Sequence, residues 1–106
     1  MMDWVEVGPA DSIPPGGYAV VEDHGTFIAV FNVDGEFFAL EDVCTHDGAE
    51  LTGGAVEGCE VICPRHGSRF CIKTGQALTP PAYEPTSVFP VIVEDGTVKT
   101  RDNRWD

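Results

Sequence analysis

Short apolar stretches without a helical period alternate along the chain with clusters of glycine, proline and aspartate. Runs of this kind between turn residues read as strands. Trp4-Val5-Glu6-Val7 marks a first strand, closed by Gly8-Pro9, and a turn-rich connector follows over residues 12–17. Residues 18–22 and 27–33 flank a polar turn containing His24 and form a hairpin. Asp34-Gly35 signals another, because both residues tolerate the positive φ of a type I′ turn, and residues 36–41 return as its second strand. At the far end residues 88–93, Asp95-Gly96 and residues 97–100 make a further hairpin. Pro90 there lacks a donor, which places its strand at an edge or leaves it paired on one side. Val61-Ile62 and Arg69-Phe70-Cys71-Ile72 are short strands within the intervening segment, about residues 42–81. A short helical turn is expected near Glu50-Leu51, and residues 101–106 read as a polar tail from which Trp105 can dock on the body. The 106 residues suit one domain, 1–106, with one core.

The two inner strands bracket the most informative feature. Cys44-Thr-His46 is followed, after sixteen intervening residues, by Cys63-Pro-Arg-His66. Neither internal gap matches the i, i+4 spacing of a helix face, so both pairs belong on tight loops. Each is followed by glycine, Gly48 and Gly67, where the backbone can turn sharply and approach a bound group. Pro64 stiffens the second loop. Two thiolates and two imidazoles are enough for one metal centre. Zinc takes two Cys and two His, but a finger draws its two Cys from one arm and its two His from the other. Here each arm offers one of each. A binuclear iron–sulfur cluster with thiolates on one iron and imidazoles on the other needs that mixed supply.

The C-x-H and C-x-x-H pairs resemble those of the Rieske [2Fe–2S] family. The resemblance spans nearly the whole chain, with its specificity between Cys44 and His66. It implies an all-β fold, a small antiparallel barrel or sandwich carrying an inserted cluster-binding β subdomain. It also implies one [2Fe–2S] cluster per chain, with Cys44 and Cys63 on one iron and His46 and His66 on the reducible one. Respiratory members carry a further Cys in each cluster loop, joined as a disulfide; Ala49 and Arg65 stand there in this chain. Ser68 matches the serine that donates to a bridging sulfide, whereas Phe70 replaces a tyrosine that donates to a Cys sulfur. With the serine kept and the other two devices missing, the expected potential lies nearer about −150 mV than +300 mV. Pro80, Pro81 and Pro85 imply a proline-stiffened third loop that shields the cluster and leaves the His edges near solvent.

Composition narrows the partners. Six basic residues against eighteen acidic ones give a net charge of −12. Nucleic acid and anionic membrane surfaces are poor partners for such a body, whereas basic protein patches would attract it at long range. No stretch approaches the length of a membrane span and no leader is visible, so a cytoplasmic location is expected. Cys59 and Cys71 read as reduced, partly buried thiols rather than a bridge. His24 reads as a surface turn residue.

A saturated cluster leaves no open position for a substrate, so the resemblance implies a carrier and not an enzyme. Its implied partners are an NAD(P)H-dependent flavoprotein ferredoxin reductase and a terminal oxygenase of the aromatic ring-hydroxylating kind. Two alternatives stay open at this level. One keeps the cluster in a nitrite reductase small subunit or a cluster-assembly accessory; the other is a zinc-stabilised binding module without redox function.

Overall fold

The structure, a computed structural model, describes residues 4–45 and 48–105, of Trp105 the backbone alone. Ten strands make up three antiparallel sheets, with 3-10 turns at Ala10–Ser12 and Asn103–Trp105; no α-helix occurs among the described residues. The terminal sheet joins β1 (Val5–Pro9), β10 (Thr97–Thr100) and β9 (Val91–Glu94) in that order. The central sheet runs β2 (Tyr18–Asp23), β3 (Thr26–Val33), β4 (Glu36–Glu41) and β8 (Val88–Phe89). Between β4 and β8 in sequence lies the third sheet, β5 (Val56–Glu57), β6 (Glu60–Ile62) and β7 (Arg69–Cys71).

The three expected hairpins form around turns of one type. His24-Gly25, Asp34-Gly35 and Asp95-Gly96 all take positive φ at both central residues, the geometry that matches the twist of the flanking strands. β3 explains its own continuous apolar run: it is buried on both faces. Ala29, Phe31 and Val33 on one face share a cluster with Leu40, Leu51, Val61, Phe70 and Ile72, toward the third sheet. Ile28 and Val30 on the other face meet Ala39, Phe89 and Val98, toward the terminal sheet. The central sheet is thus the middle of three layers.

Four local expectations are corrected. Gly8 and Pro9 do not end β1; after a bulge they pair with Val98 and Thr97. As β1 is an edge strand, the donor missing from Pro9 breaks no second ladder. Pro90 does more than mark an edge. It divides the expected strand into β8, which pairs with β4, and β9, which pairs with β10, so the chain changes sheet at the residue that cannot donate. Its carbonyl is satisfied by the Thr100 hydroxyl at 2.8 Å. Glu50-Leu51 forms no helical turn, because the Asp42 carboxylate takes the N–H groups of Leu51 and Thr52 at 2.8 and 2.9 Å. The polar tail is not loose: Asp102 is fully buried and accepts from the Thr26 hydroxyl and from the Arg104 guanidinium, while its N–H donates to Asp23. The reading of Trp105 as a docked ring falls on a side chain outside the described ones.

Candidate metal centre

Cys44 and the Cys63–His66 pair sit on loops that leave a strand and turn once. Cys44 follows β4 and Cys63 follows β6. The Cys44 N–H donates to the Ala49 carbonyl at 2.6 Å, and the Gly48 N–H donates back to the Cys44 carbonyl at 2.7 Å. The Cys63 N–H donates to the Ser68 carbonyl at 2.7 Å, and the Gly67 N–H donates to the Cys63 carbonyl at 3.0 Å. The two loops therefore have one hydrogen-bond pattern, although histidine stands two residues on in one and three in the other. Gly48 and Gly67 reach φ of +77° and +75°, a region in which a side chain costs backbone strain.

Cys44 and Cys63 are fully buried in the same apolar cluster, and no disulfide forms among the described residues. His66 is exposed, as are Pro64, Arg65 and Gly67 around it. His46 lies outside the described residues. The pair of loops thus sets sulfur inward and, at the second loop, imidazole outward.

A third segment closes over them. Ser68 is fully buried, and its hydroxyl oxygen accepts from the Ala82 N–H at 3.2 Å, which leaves its own proton to donate. The Thr45 hydroxyl donates to the Glu84 carbonyl at 2.6 Å, tying the first loop to the third. Thr79 accepts from the Arg69 N–H at 2.9 Å, and the Thr86 N–H donates to the Gly75 carbonyl at 2.8 Å. Pro80 is exposed and Pro81 half-buried in this segment, whose Leu78 and Tyr83 also face solvent, Tyr83 at 82%. Phe70 is fully buried in the cluster that holds both cysteines.

Sequence reasoning missed Asp42, Thr45, Thr79 and Thr86. Asp42 is buried, and besides the two N–H groups it takes the Thr52 hydroxyl at 2.7 Å, so its carboxylate organises the far side of the first loop. An acid two residues before Cys44, directly after an apolar strand, was the signal available. The threonines gave none, since their partners are carbonyls and N–H groups distant in sequence.

The donor chemistry fits an iron–sulfur group. Two buried thiols stand on matched loops beside a buried hydroxyl with a proton to give, and an exposed imidazole completes the second pair. A family model described as Rieske [2Fe-2S] domain matches residues 3–90. The chain belongs to the Rieske family. The cofactor is accordingly one [2Fe–2S] cluster per chain, which sets aside the zinc reading. Among curated proteins, this Rieske chain is 40% identical over 94 residues to the biphenyl dioxygenase ferredoxin subunit of Pseudomonas sp. strain KKS102, covering 88% of this chain and 86% of that one. It is 41% identical over 98 residues to the 3-phenylpropionate/cinnamic acid dioxygenase ferredoxin subunit of Photorhabdus laumondii, covering 92% of each. Among solved structures it superposes on the Sphingomonas yanoikuyae B1 ferredoxin with a TM-score of 0.86 at 36% identity, over 94% of this chain and 99% of that one. A chain in the complex of reduced oxygenase and oxidised ferredoxin of carbazole 1,9a-dioxygenase gives a TM-score of 0.88 at 36% identity, over 92% of each. No helix among the described residues is long and apolar enough to cross a membrane.

Proposed function

We propose that the chain is the ferredoxin of an aromatic ring-hydroxylating dioxygenase system, taking single electrons from an NAD(P)H-dependent flavoprotein reductase to a terminal oxygenase. The observation that carries the reading is the matched pair of loops, with buried Cys44 and Cys63 behind an exposed His66. Cys44 and Cys63 would hold one iron, His46 and His66 the other. When bound, the cluster supplies one reversible electron and offers no open position to a substrate. The residues around it do the rest. The apolar cluster around the two cysteines excludes water. The hydrogen bonds of Thr45, Ser68, Thr79 and Thr86 fix the three loops against one another, so little has to rearrange when charge changes. Ser68 holds a hydroxyl proton available to a sulfur acceptor, which favours the more negative, reduced state.

His66 and the solvent-facing Leu78, Pro80 and Tyr83 form the surface offered to both partners in turn. In the related carbazole system the ferredoxin is seen in complex with its oxygenase, which supports that half of the partnership. The segment of about 42–81 acts as the cluster-binding part of a single 1–106 unit, a reading supported by the β5–β7 sheet lying wholly within it. A cytoplasmic location goes with that role.

The test uses the cluster-loaded chain, NADH, a flavoprotein reductase from an aromatic dioxygenase system and its oxidised oxygenase. Visible absorbance should bleach only with NADH and reductase together and recover when oxygenase is added. A reduced chain that no oxygenase of this class re-oxidises faster than air overturns the proposal.

A further inference from the structure

Between the two cysteine loops the chain passes through adjacent glycines that are needed for different reasons. Gly53 has φ of +97°, and a Cβ on it would meet no described atom within 4 Å beyond its chain neighbours. Conformation calls for that glycine. Gly54 lies outside the left-handed region, so its φ does not call for glycine. Space does. A Cβ on Gly54 would overlap the Ile62 carbonyl oxygen and stand 3.2 Å from Pro64 Cδ.

The segment around these glycines is gripped at both ends. Upstream, the Asp42 carboxylate takes the Leu51 and Thr52 N–H groups and the Thr52 hydroxyl at 2.7–2.9 Å. The Gly54 N–H closes the turn on the Leu51 carbonyl at 3.4 Å. Downstream, the Ile62 N–H donates to the Ala55 carbonyl at 2.9 Å, so residues 54 and 55 face both backbone polar groups of Ile62. Ile62 belongs to β6, the middle strand of the third sheet, and pairs with Arg69 on its other side. It cannot give way without loosening one of those pairings. Asp42 precedes Cys44 by two residues, and Ile62 precedes Cys63 by one. One clamped turn thus spans from the first cysteine loop to the second, with backbone resting on backbone.

We propose that Gly54 is a positioning residue for the redox centre. Having no side chain, it lets the turn anchored on Asp42 rest against Ile62, and so sets where Cys63 stands relative to Cys44. This rests on the assignment of both cysteines to the cluster. In Gly54→Ala either the turn must leave Asp42 or Cys63 must move with Ile62. Three hydrogen bonds to a buried carboxylate oppose the first course, and a well-packed interior offers no slack to absorb the extra methyl. The displacement therefore reaches the Cys63 sulfur, and moving a ligand changes the electronic structure and potential of the group it holds.

Gly54→Ala and Gly53→Ala, each loaded with cluster, make the test, read by low-temperature EPR and redox titration beside thermal denaturation. Both variants should lose thermal stability. Only Gly54→Ala should shift the g values and the midpoint potential, and it should release iron to a chelator several-fold faster than Gly53→Ala. Adding Asp42→Asn, which loosens the far end of the turn, should bring the Gly54→Ala spectrum back toward the parent's. Where Gly54→Ala alone holds no cluster, the same addition should restore it. Equal g values and potentials in the two glycine variants overturn the proposal. So does a double variant no closer to the parent than Gly54→Ala itself. Cys63→Ser with an unaltered cluster would instead sink the ligand assignment, which the two glycine variants leave untouched.

Discussion

Cys44 and Cys63 occupy the same position in the same six-residue loop. Each gives its N–H to the carbonyl five residues on and receives the N–H of a glycine four residues on. Two segments of different sequence thus deliver buried sulfur in one geometry, and what distinguishes them is where the histidine falls. This sameness has consequences.

Gly48→Ala and Gly67→Ala should harm the two loops alike. Among the described residues, chain neighbours aside, no atom lies within 4 Å of where either Cβ would stand, so the cost expected is that of the positive φ, about 1–2 kcal/mol each. Thermal denaturation and the rate of iron loss should move together in both variants. A large effect in one loop and none in the other would show that the loops are not equivalent.

Ser68→Ala should lower the midpoint potential and leave cluster content intact. The buried hydroxyl accepts from Ala82 and keeps one proton to give. If that hydrogen bond strengthens by about 1 kcal/mol on reduction, its loss shifts a one-electron couple by roughly 40 mV. Redox titration of the two proteins side by side reads this directly. The unmodified chain should titrate nearer about −150 mV than +300 mV.

Asp42→Ala should loosen the first loop without touching a ligand. It strands the Leu51 and Thr52 N–H groups that the carboxylate now accepts, at a cost of about 3 kcal/mol. Iron should be released to a chelator faster than from the parent protein, whereas Asp42→Asn, which keeps an acceptor oxygen, should fall between the two.

Asp102 predicts an acid dependence. The Arg104 side chain, ahead of its N–H and the Thr26 hydroxyl, outweighs burial and holds the carboxyl well below its ordinary value of 3.8. A folded value under the unfolded one gives stability that is complete above about pH 4 and lost as pH falls below it. Asp102→Asn should therefore cost about 1–3 kcal/mol at neutral pH, and the gap from the parent should narrow as the solution is acidified below pH 4. A gap that stays constant through that range would remove Asp102 from the acid response.

Much of this architecture was legible in the residues. The three hairpin turns were readable because each places Gly after His or Asp, and the cluster loops because Cys, His and Gly recur at short range. β3 was legible as a strand, whereas its burial on both faces was not. What sequence hid is long-range. Pro90 looked like an edge marker, but only pairing with two different partners shows that it separates two sheets. Asp102 and Arg104 read as solvated tail until Thr26, Asp23 and Glu41 were brought to them from far along the chain. Thr45 gave no sign of its bond to Glu84, thirty-nine residues away. Polar side chains that staple loops take backbone partners, and backbone atoms leave no pattern in a sequence.

Pulsed EPR of the dithionite-reduced protein tests the unequal ligation most directly. Two imidazole nitrogens coupled to the unpaired spin are expected, from His46 and His66, with one coupling lost on His66→Cys. A reduced cluster with no nitrogen coupling, or a chain that gives no paramagnetic signal on reduction, contradicts the account.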